Sequence, residues 1–375
     1  MRIRFRFPPT GTLPEGEAIC PYCGGKETVV HQTHVRKIKH HKINEAVVKR
    51  LRCKKCKRTF RHYPQGVSQA QQTKTLKAMS VILYILGLSY DSLVSFFFAL
   101  DTPLSKGTLW NNMQDAGEKA HFLRKKFLQG KIKICGLDTT IYKVKGKEEI
   151  VLLLSDILLG KTIEVEVIEN RKAFTLKRKL TSIFNQLGVE VVVTDDAEEM
   201  EALTKHNPLV KRQLCLTHLK KATSIRIKKL EKETRKKLLK ENNEKLNILL
   251  KDLKRIRKLM DDLPPNLGEN LKEIHLRYKD APFPKRGEKA SVFYQMRLFT
   301  LRLWQRNHDI LHFRKYGIDG TNNTTERLIG LNGKIRYKSM RGFKSKSSLN
   351  NFLQTTSFLW DKKQEVDEVD LSCVS

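Results

Sequence analysis

The pattern of hydrophobic and polar positions divides the chain into stretches with the period of strands and stretches with the period of helices. Apolar and polar residues alternate over residues 27–52, as they do in strands with one buried face. The alternation returns over residues 131–168, where Lys145–Lys147 has the composition of a hairpin turn. Val191–Val193 is a short apolar run that leads into Asp195 and is typical of a buried strand. These stretches predict a small sheet near the start of the chain and a larger one in its middle.

Helical spacing dominates most of the remaining chain. Apolar residues recur every three or four positions from Ala70 to Leu86, and Gly87 follows as a helix terminator. Ser89 and Ser105 stand where a side chain can cap the first turn of a following helix. The predicted helices cover Ala70–Leu86, Tyr90–Ala99, Lys106–Glu118, Lys172–Leu187, much of the charged region 219–316, and Ser347–Trp360.

Composition narrows the choice of partner. The chain has 73 Lys and Arg residues against 40 Asp and Glu, a formal net charge of +33. Such a surplus favours a nucleic acid over an acidic protein or a lipid surface. No apolar run is long enough to span a membrane, and the basic start Met1–Pro9 has no apolar core, so we expect neither a membrane partner nor a secretory signal.

Two pairs of cysteines have the spacing of metal ligands. Cys20 and Cys23 form one Cys-x-x-Cys pair, and Cys53 and Cys56 form the second. Each pair can point two thiolates at one tetrahedral Zn²⁺, and four thiolates leave no open position for catalysis, so a structural zinc ribbon is predicted. Four free thiols are the less favoured interpretation. The histidines between the pairs are possible substitute ligands: His31, His34, His40 and His41.

The three predicted helices after the cysteine pairs have the order of a helix-turn-helix. This motif places its second helix in the major groove of DNA. The third predicted helix carries side chains that can contact phosphates or base edges, namely Lys106, Thr108, Asn111 and Asn112. A plain three-helix bundle with solvated polar residues is an equally good interpretation of the pattern alone. The neighbouring basic cysteine region favours DNA binding.

Three carboxylates stand at predicted edges of the fold. Asp138 closes the run that begins at Lys131, Asp195 closes the valine strand, and Glu326 lies at the start of a predicted helix. Carboxylate oxygens suit hard cations such as Mg²⁺, for which Mn²⁺ can substitute. Two such ions can activate a nucleophile and stabilise the leaving oxygen of a phosphodiester. The sequence therefore predicts that Asp138, Asp195 and Glu326 are catalytic metal ligands acting on DNA.

Each of these carboxylates also has an ordinary interpretation. A single Asp at the end of a strand commonly caps or turns the chain, and Asp196 competes directly with Asp195 for the second ligand position. A Glu in the first turn of a helix is favoured by the helix dipole alone. The neighbourhood of Glu326 supports a function, because a basic run follows it. Within that run we expect Arg336, Lys338, Arg341 and Lys344 to bind the phosphates beside the scissile bond.

Several motifs, in their order along the chain, resemble the DDE-type insertion-sequence transposases, and in particular the mutator-like group. These motifs are the two Cys-x-x-Cys pairs, Gly136-Leu-Asp138-Thr-Thr, Val193-Thr-Asp195-Asp196, Cys215-Leu-Thr-His218, Asn322-Asn-Thr-Thr-Glu326 and Met340-Arg-Gly-Phe-Lys. Each motif is weak alone. The resemblance covers about residues 19–360 and implies a ribonuclease-H-like (RNase H-like) fold with Asp138, Asp195 and Glu326 as ligands of two Mg²⁺ ions.

The resemblance also implies an activity and partners. Such a protein would cleave double-stranded DNA at the terminal inverted repeats of its element, join the ends to target DNA, and act as a homodimer or higher oligomer. We would expect it in the prokaryotic cytoplasm, associated with the nucleoid. The alternatives are a domesticated DNA-binding regulator and an RNase H-like nuclease or resolvase that cuts without joining. Cys215 and His218 could bind a metal as a pair, although buried structure or a lining of the DNA path is favoured.

Glu326 lies 131 positions after Asp195, which is too far for a loop and implies a helical insertion. Its basic part, Lys220–Lys258, fits a solvated helical hairpin as well as a DNA contact. We thus predict an α/β fold with an RNase H-like catalytic core, an all-α insertion and two preceding DNA-binding units. The predicted domains are a zinc ribbon (1–64), a helix-turn-helix domain (65–128), the first part of the core (129–218), the insertion (219–316), the C-terminal core helices (317–362) and a disordered acidic tail (363–375).

Overall fold

The structure is a computed structural model of the full chain. It describes residues 13, 15–127, 131–205, 209–241, 243–338, 340 and 342–365. Arg341 and most of the predicted acidic tail lie outside the described residues.

The N-terminal unit is a three-stranded antiparallel sheet. Its strands are β1 (Thr28–Lys37), β2 (Glu45–Cys53) and β3 (Thr59–His62), in the order β1-β2-β3. The alternation of the sequence is visible in β2, which buries Ala46, Val48, Leu51 and Cys53 and exposes most of the residues between them. The predicted strands between the two cysteine pairs are confirmed.

A five-stranded mixed sheet forms the centre of the molecule. Its strands are β4 (Ile134–Val144), β5 (Lys147–Asp156), β6 (Lys161–Ile168), β7 (Val191–Thr194) and β8 (Lys211–Leu214), in the order β6-β5-β4-β7-β8. β4, β5 and β6 form an antiparallel meander, and β7 and β8 run parallel to β4. The predicted order of antiparallel strands, a helix and a buried strand is confirmed, and the sheet places the strand that leads to Asp195 beside the strand of Asp138.

One predicted break in this sheet is wrong. Asp138 does not end a strand, because β4 continues through it and pairs Asp138 with Leu153 of β5. The chain turns only at the hairpin after Val144, where Lys145 and Gly146 both have positive φ, at 50° and 78°. The ten-residue pairing of β4 with β5 overrides the local turn preference of an Asp.

Thirteen helices surround the sheets in the described part of the chain. The first five are α1 (Lys74–Leu86), α2 (Tyr90–Ala99), α3 (Lys106–Phe127), α4 (Ala173–Leu187) and α5 (Glu198–Lys205). The next five are α6 (Leu216–Leu238), α7 (Glu244–Asp262), α8 (Leu267–Leu276), α9 (Val292–Gln305) and α10 (Asn307–Tyr316). The last three are α11 (Asn323–Ile329), α12 (Ile335–Lys338) and α13 (Lys346–Glu365), with a π-helical turn, Gly330–Lys334, between α11 and α12.

The helices predicted as a separate DNA-binding domain do not form a separate body. α1, α2 and α3 share one hydrophobic cluster with α13 and with one face of β4, β5 and β6. α3 runs nine residues beyond its predicted end at Glu118, and it is this extension that brings Arg124 to α13, where Nη2 donates to the carbonyl of Gln354 at 2.9 Å. A Cβ on Gly117 would collide with Asn351 of α13, so the two helices lie at the closest approach that their backbones allow.

The other face of the central sheet is covered by α4 and α5, whose apolar residues form a second cluster with β4 to β7. The insertion has its own core, made by α6 to α10. It docks on the edge strand β8, where the Gln213 amide donates to the carbonyl of Ile310 at 3.0 Å and accepts from the N–H of Phe313 at 2.6 Å. Among the described residues, no helix combines the length and the apolar character needed to cross a membrane.

Candidate active site and metal centres

The strand of Asp138 and the strand that leads to Asp195 are parallel neighbours. Gly136 of β4 is paired with Val193 of β7. Asp138 lies two positions later in β4, and Asp195 is the first residue after the end of β7. The predicted adjacency of the two strands that lead to these carboxylates is therefore confirmed.

Asp138 is in an environment that penalises its charge. Its carboxylate is half-buried and accepts one hydrogen bond, from the N–H of Thr139 at 2.7 Å. Burial raises the pKa of Asp138 to about 6, and the nearby negative charges of Asp195 and Glu326 add to the rise. The three predicted carboxylates therefore interact electrostatically, and a divalent cation among them would neutralise the repulsion. Three carboxylates of this kind fit Mg²⁺ chemically.

Asp195 and Asp196 are distinguished by what surrounds them. The Asp196 carboxylate is bound by three guanidinium groups, from Arg212 at 3.4 Å, Arg302 at 2.6 Å, and Arg306. The Asp195 carboxylate accepts only the N–H of Ala197, at 3.3 Å, among the bonds of the described residues. Asp195 is thus available to a metal, whereas Asp196 joins the insertion to the core.

Arg212 of β8 also fixes the backbone at Asp195. Its side chain is 2% exposed. It donates from Nε to the Thr194 hydroxyl at 3.2 Å and from Nη2 to the carbonyl of Asp195 at 3.1 Å. Nothing in the local sequence singled out Arg212, because its role depends on the pairing of β7 with β8.

Glu326 is brought close to Asp138 by α11. Just before this helix, the buried Asn322 donates its amide to the carbonyl of Leu137 at 3.0 Å. The hydroxyl of Thr325 donates to Asn322 Oδ1 at 2.6 Å and is bonded to the Ser155 hydroxyl at 2.8 Å. The helix can come this close because residue 136 is glycine: a Cβ there would collide with Asn322 and Thr325.

The sequence motif that ends at Glu326 predicts no role for its polar residues Asn322 and Thr325. Asn322 and Thr325 are 2% and 0% exposed, so they are structural anchors of α11 on β4 and β5. Polar residues in the first turn of a helix would have indicated a cap, but the sequence held no signal that they are buried against strands 170 residues away.

The four predicted zinc ligands form one cluster. Sγ of Cys20 lies 3.6 Å from Sγ of Cys56, and Sγ of Cys23 lies 3.6 Å from Sγ of Cys53. A hydrogen bond from the Cys56 backbone amide lowers the pKa of Cys53 to about 7. Despite a hydrogen bond from the Gly25 backbone amide, burial and the neighbouring thiols raise the pKa of Cys23 to about 11. The cluster fits Zn²⁺ with four sulfur ligands. None of the four intervening histidines belongs to it among the described residues.

A second group of possible ligands includes one predicted catalytic residue. Ligand atoms of Cys215, His218 and Glu326 all lie within 4.8 Å of one another, with His218 Nδ1 3.6 Å from Glu326 Oε1. Asp138 and Asp195 do not belong to this group. The sequence had presented Cys215 and His218 as a pair only.

The predicted DNA contacts in α3 are distributed between surface and core. Lys106 and Asn111 are exposed, and Lys106 forms an ion pair with Asp91. The half-buried Thr108 is hydrogen-bonded to Ser105 at 2.9 Å. Asn112 is 1% exposed, and its amide donates to Gln72 at 3.1 Å and Ser80 at 2.9 Å. The prediction for Asn112 is therefore wrong in this structure, because the turn of the helix that faces α1 carries it into the core.

In the basic run after Glu326, Lys338 and Lys344 are exposed, as a DNA contact requires. Arg336 instead donates to the carbonyls of Tyr84 at 3.2 Å and Leu88 at 3.1 Å. These bonds join the segment after Glu326 to the end of α1, so the predicted role of Arg336 as a phosphate ligand is wrong here. Arg341 lies outside the described residues.

The strand order defines an α/β protein in which Asp138 and Asp195 come from neighbouring parallel strands of a mixed sheet. No protein-family model matches the chain, and no curated protein matches it. Solved structures with some likeness are retroviral integrase structures. The HTLV-2 integrase catalytic core domain in complex with magnesium is 18% identical, over 33% of this chain and 82% of that one, with a TM-score of 0.21.

Two further structures are of the same kind. The catalytic core domain of BIV integrase is 14% identical over 46% of this chain and 83% of that one, with a TM-score of 0.19. The simian T-cell lymphotropic virus intasome in complex with PP2A regulatory subunit B56 gamma is 16% identical over 56% and 74%, with a TM-score of 0.21. TM-scores this low decide nothing about the present chain, whose fold assignment comes from its own strand order.

Proposed function

We propose that this chain is a DDE-type DNA transposase that binds the ends of its element, cleaves phosphodiester bonds with Mg²⁺ and transfers the strands to target DNA. One observation carries the proposal. Asp138 and Asp195 come from neighbouring parallel strands, and the chain returns after the insertion to bring Glu326 close enough to raise the pKa of Asp138.

Asp138, Asp195 and Glu326 would hold the metal. Bound Mg²⁺ supplies a Lewis acid that lowers the pKa of an attacking hydroxyl and stabilises a departing oxygen. The protein contributes the positions of the ligands. Thr194 and Arg212 fix the backbone at Asp195, and the buried anchors before Glu326 fix α11, so little rearrangement is needed when substrate binds.

The charges around the site fit a polyanionic substrate. Lys338 and Lys344 are exposed downstream of Glu326. A cavity of about 370 Å³ beside Asp196 is lined by Arg226, Arg302 and Arg306 together with apolar side chains of the insertion. Cationic side chains such as these are the groups that bind the phosphates of a DNA backbone. The basic cysteine unit would add a contact farther along the DNA.

The test uses labelled duplexes made from the DNA that flanks the coding sequence, incubated with the full chain and Mg²⁺. The proposal expects strand cleavage at a defined terminal position and covalent joining of the freed 3′ end to a second DNA. Cleavage without joining would support a nuclease or resolvase instead. Binding that is insensitive to Mg²⁺, with neither product, would support a DNA-binding regulator.

A matched pair of variants ties the products to the site. Asp138→Asn should abolish cleavage and joining while DNA binding remains, because it removes a metal ligand without changing the size of the side chain. Asp261→Asn, at an exposed position in the insertion, is the control and should retain both activities. Full activity of Asp138→Asn would refute the proposal.

A further inference from the structure

The group formed by Cys215, His218 and Glu326 is held together by three separate elements. Cys215 follows β8 directly and precedes the first residue of α6, and His218 lies in the first turn of that helix. Glu326 belongs to α11. The three ligand atoms lie within 4.8 Å of one another although the residues span more than a hundred positions of sequence.

Backbone contacts hold the two helices in this arrangement. The N–H of Leu216 donates to the carbonyl of Gly320 at 3.0 Å, which joins the start of α6 to the segment before α11. The N–H of Asn322 donates to Sγ of Cys215 at 3.3 Å. Because Asn322 is itself buried and bonded to β4, the sulfur and α11 share one rigid support.

The donors are the types that Zn²⁺ prefers. One thiolate, one imidazole and one carboxylate make a mixed sulfur, nitrogen and oxygen set, and three protein ligands with an open fourth position are typical of non-structural zinc sites. Tetrahedral bonds of 2.0–2.3 Å place ligand atoms about 3.5 Å from one another. The His218–Glu326 separation of 3.6 Å already meets that spacing.

The spacing of Cys215 and His218 also fits. Residues three apart in a helix lie on the same face, so a thiolate at the start of α6 and an imidazole in its first turn point to one place. The cysteine is 1% exposed, whereas the side chains of His218 and Glu326 are 47% and 40% exposed. A metal would therefore reach the buried sulfur from the solvent side, past the other two ligands.

We infer that Cys215, His218 and Glu326 form a site for a borderline transition-metal ion of the Zn²⁺ type, distinct from the four-cysteine cluster. Zinc bound to Glu326 would occupy a carboxylate oxygen and place a second cation next to the proposed Mg²⁺ position. If the proposed function is right, on which this consequence rests, zinc at the new site competes with Mg²⁺ for Glu326 and inhibits cleavage.

The test is the number of Zn²⁺ ions bound per full-length chain, measured by elemental analysis after zinc loading and gel filtration. Cys215→Ser and His218→Asn should each bind one zinc ion fewer than the wild type. The matched controls are His308→Asn, at an exposed position on α10, and Cys373→Ser, and both should bind as much zinc as the wild type. The difference does not depend on how fully the four-cysteine cluster is loaded, since that cluster is common to all variants.

Co²⁺ provides a second readout that reports the ligands. The wild type should gain a thiolate-to-cobalt absorption component that Cys215→Ser lacks and His308→Asn retains. Equal zinc counts in the wild type, Cys215→Ser and His218→Asn would overturn the inference, as would identical cobalt spectra. Neither measurement requires DNA cleavage. Absence of Mg²⁺-dependent activity would therefore refute the proposed function, while the number of zinc ions bound would still test the metal site.

Discussion

Asp195 and Asp196 are neighbours in the sequence with opposite surroundings. Asp196 neutralises the almost fully buried Arg212 and binds Arg302 and Arg306, whereas Asp195 accepts a single backbone N–H. Asp196→Asn should lower the free energy of unfolding by roughly 1–3 kcal/mol, because a buried guanidinium loses part of its counter-charge. Asp195→Asn should change it by less than about 0.5 kcal/mol and should instead abolish Mg²⁺-dependent cleavage. Thermal denaturation of both variants decides the assignment, and a destabilised Asp195→Asn beside an unaffected Asp196→Asn would reverse it.

The buried carboxyl of Asp138 should make the metal-free protein less stable as the pH rises. Its pKa is raised from 3.8 to about 6, so between these values the unfolded chain has released a proton that the native protein retains. The penalty is complete above pH 6 and absent below about pH 4. Asp138→Asn avoids the penalty, and in a chelating buffer at pH 7.5 it should be more stable than the wild type by roughly 1–2 kcal/mol. Melting curves from pH 4 to 8 test this, and a difference that does not change with pH would contradict it.

At the scale of elements, the contact between α3 and α13 joins the N-terminal helices to the central sheet. Gly117→Ala should cost roughly 2–4 kcal/mol, because the added Cβ meets the backbone of Asn351 and forces the helices apart. Gly107→Ala in the same helix is the matched control. The nearest atom to its Cβ is 3.8 Å away, so it should be neutral or stabilise the protein by up to about 1 kcal/mol. Equal melting temperatures for the two variants would show that α3 is not packed in this way.

The elements with a clear period were predictable, and their contacts were not. The helix Tyr90–Ala99 has the predicted bounds, and the hairpin after Val144 falls where its turn residues indicated. The end of α3 was missed because its last turns are basic on one side and are stabilised by α13, which is distant in sequence. The burial of Asn112 and the docking of Arg336 on α1 likewise depend on distant partners that leave no local pattern.

In the candidate site, too, the residue types could be predicted from the sequence and the contacts that position them could not. The types of its residues were visible in the sequence, since carboxylates after apolar strands and paired cysteines are chemical signals. The supports that position them are Gly136, Arg212, Asn322 and Thr325, and each acts across strands or helices that meet only in the folded chain. His218 and Glu326 likewise come close only in the folded chain, because α6 and α11 are distant in sequence.

At the scale of the whole molecule, a net charge of +33 predicts that DNA affinity falls steeply with salt. Lys338→Ala and Lys344→Ala should each weaken binding to all sequences alike and reduce the slope of log affinity against log salt by about 1. Neither should change the melting temperature, because both side chains are exposed. Arg336→Ala should instead lower the melting temperature and leave the salt slope unchanged, since its bonds to Tyr84 and Leu88 stabilise the fold. Fluorescence anisotropy at several salt concentrations, paired with melting curves, separates these roles.

The proposed site depends most on the return of the chain to the sheet after the insertion, which would bring Glu326 to the two aspartates. The most direct test is Mg²⁺-dependent cleavage of end-containing DNA by Glu326→Gln, with Glu118→Gln on the exposed side of α3 as the matched control. Loss of a metal ligand should slow cleavage by about a thousandfold or more, because metal stabilisation of the transition state contributes several kcal/mol. DNA affinity and melting temperature should stay close to those of the wild type. Cleavage by Glu326→Gln at the rate of Glu118→Gln would contradict the proposed site.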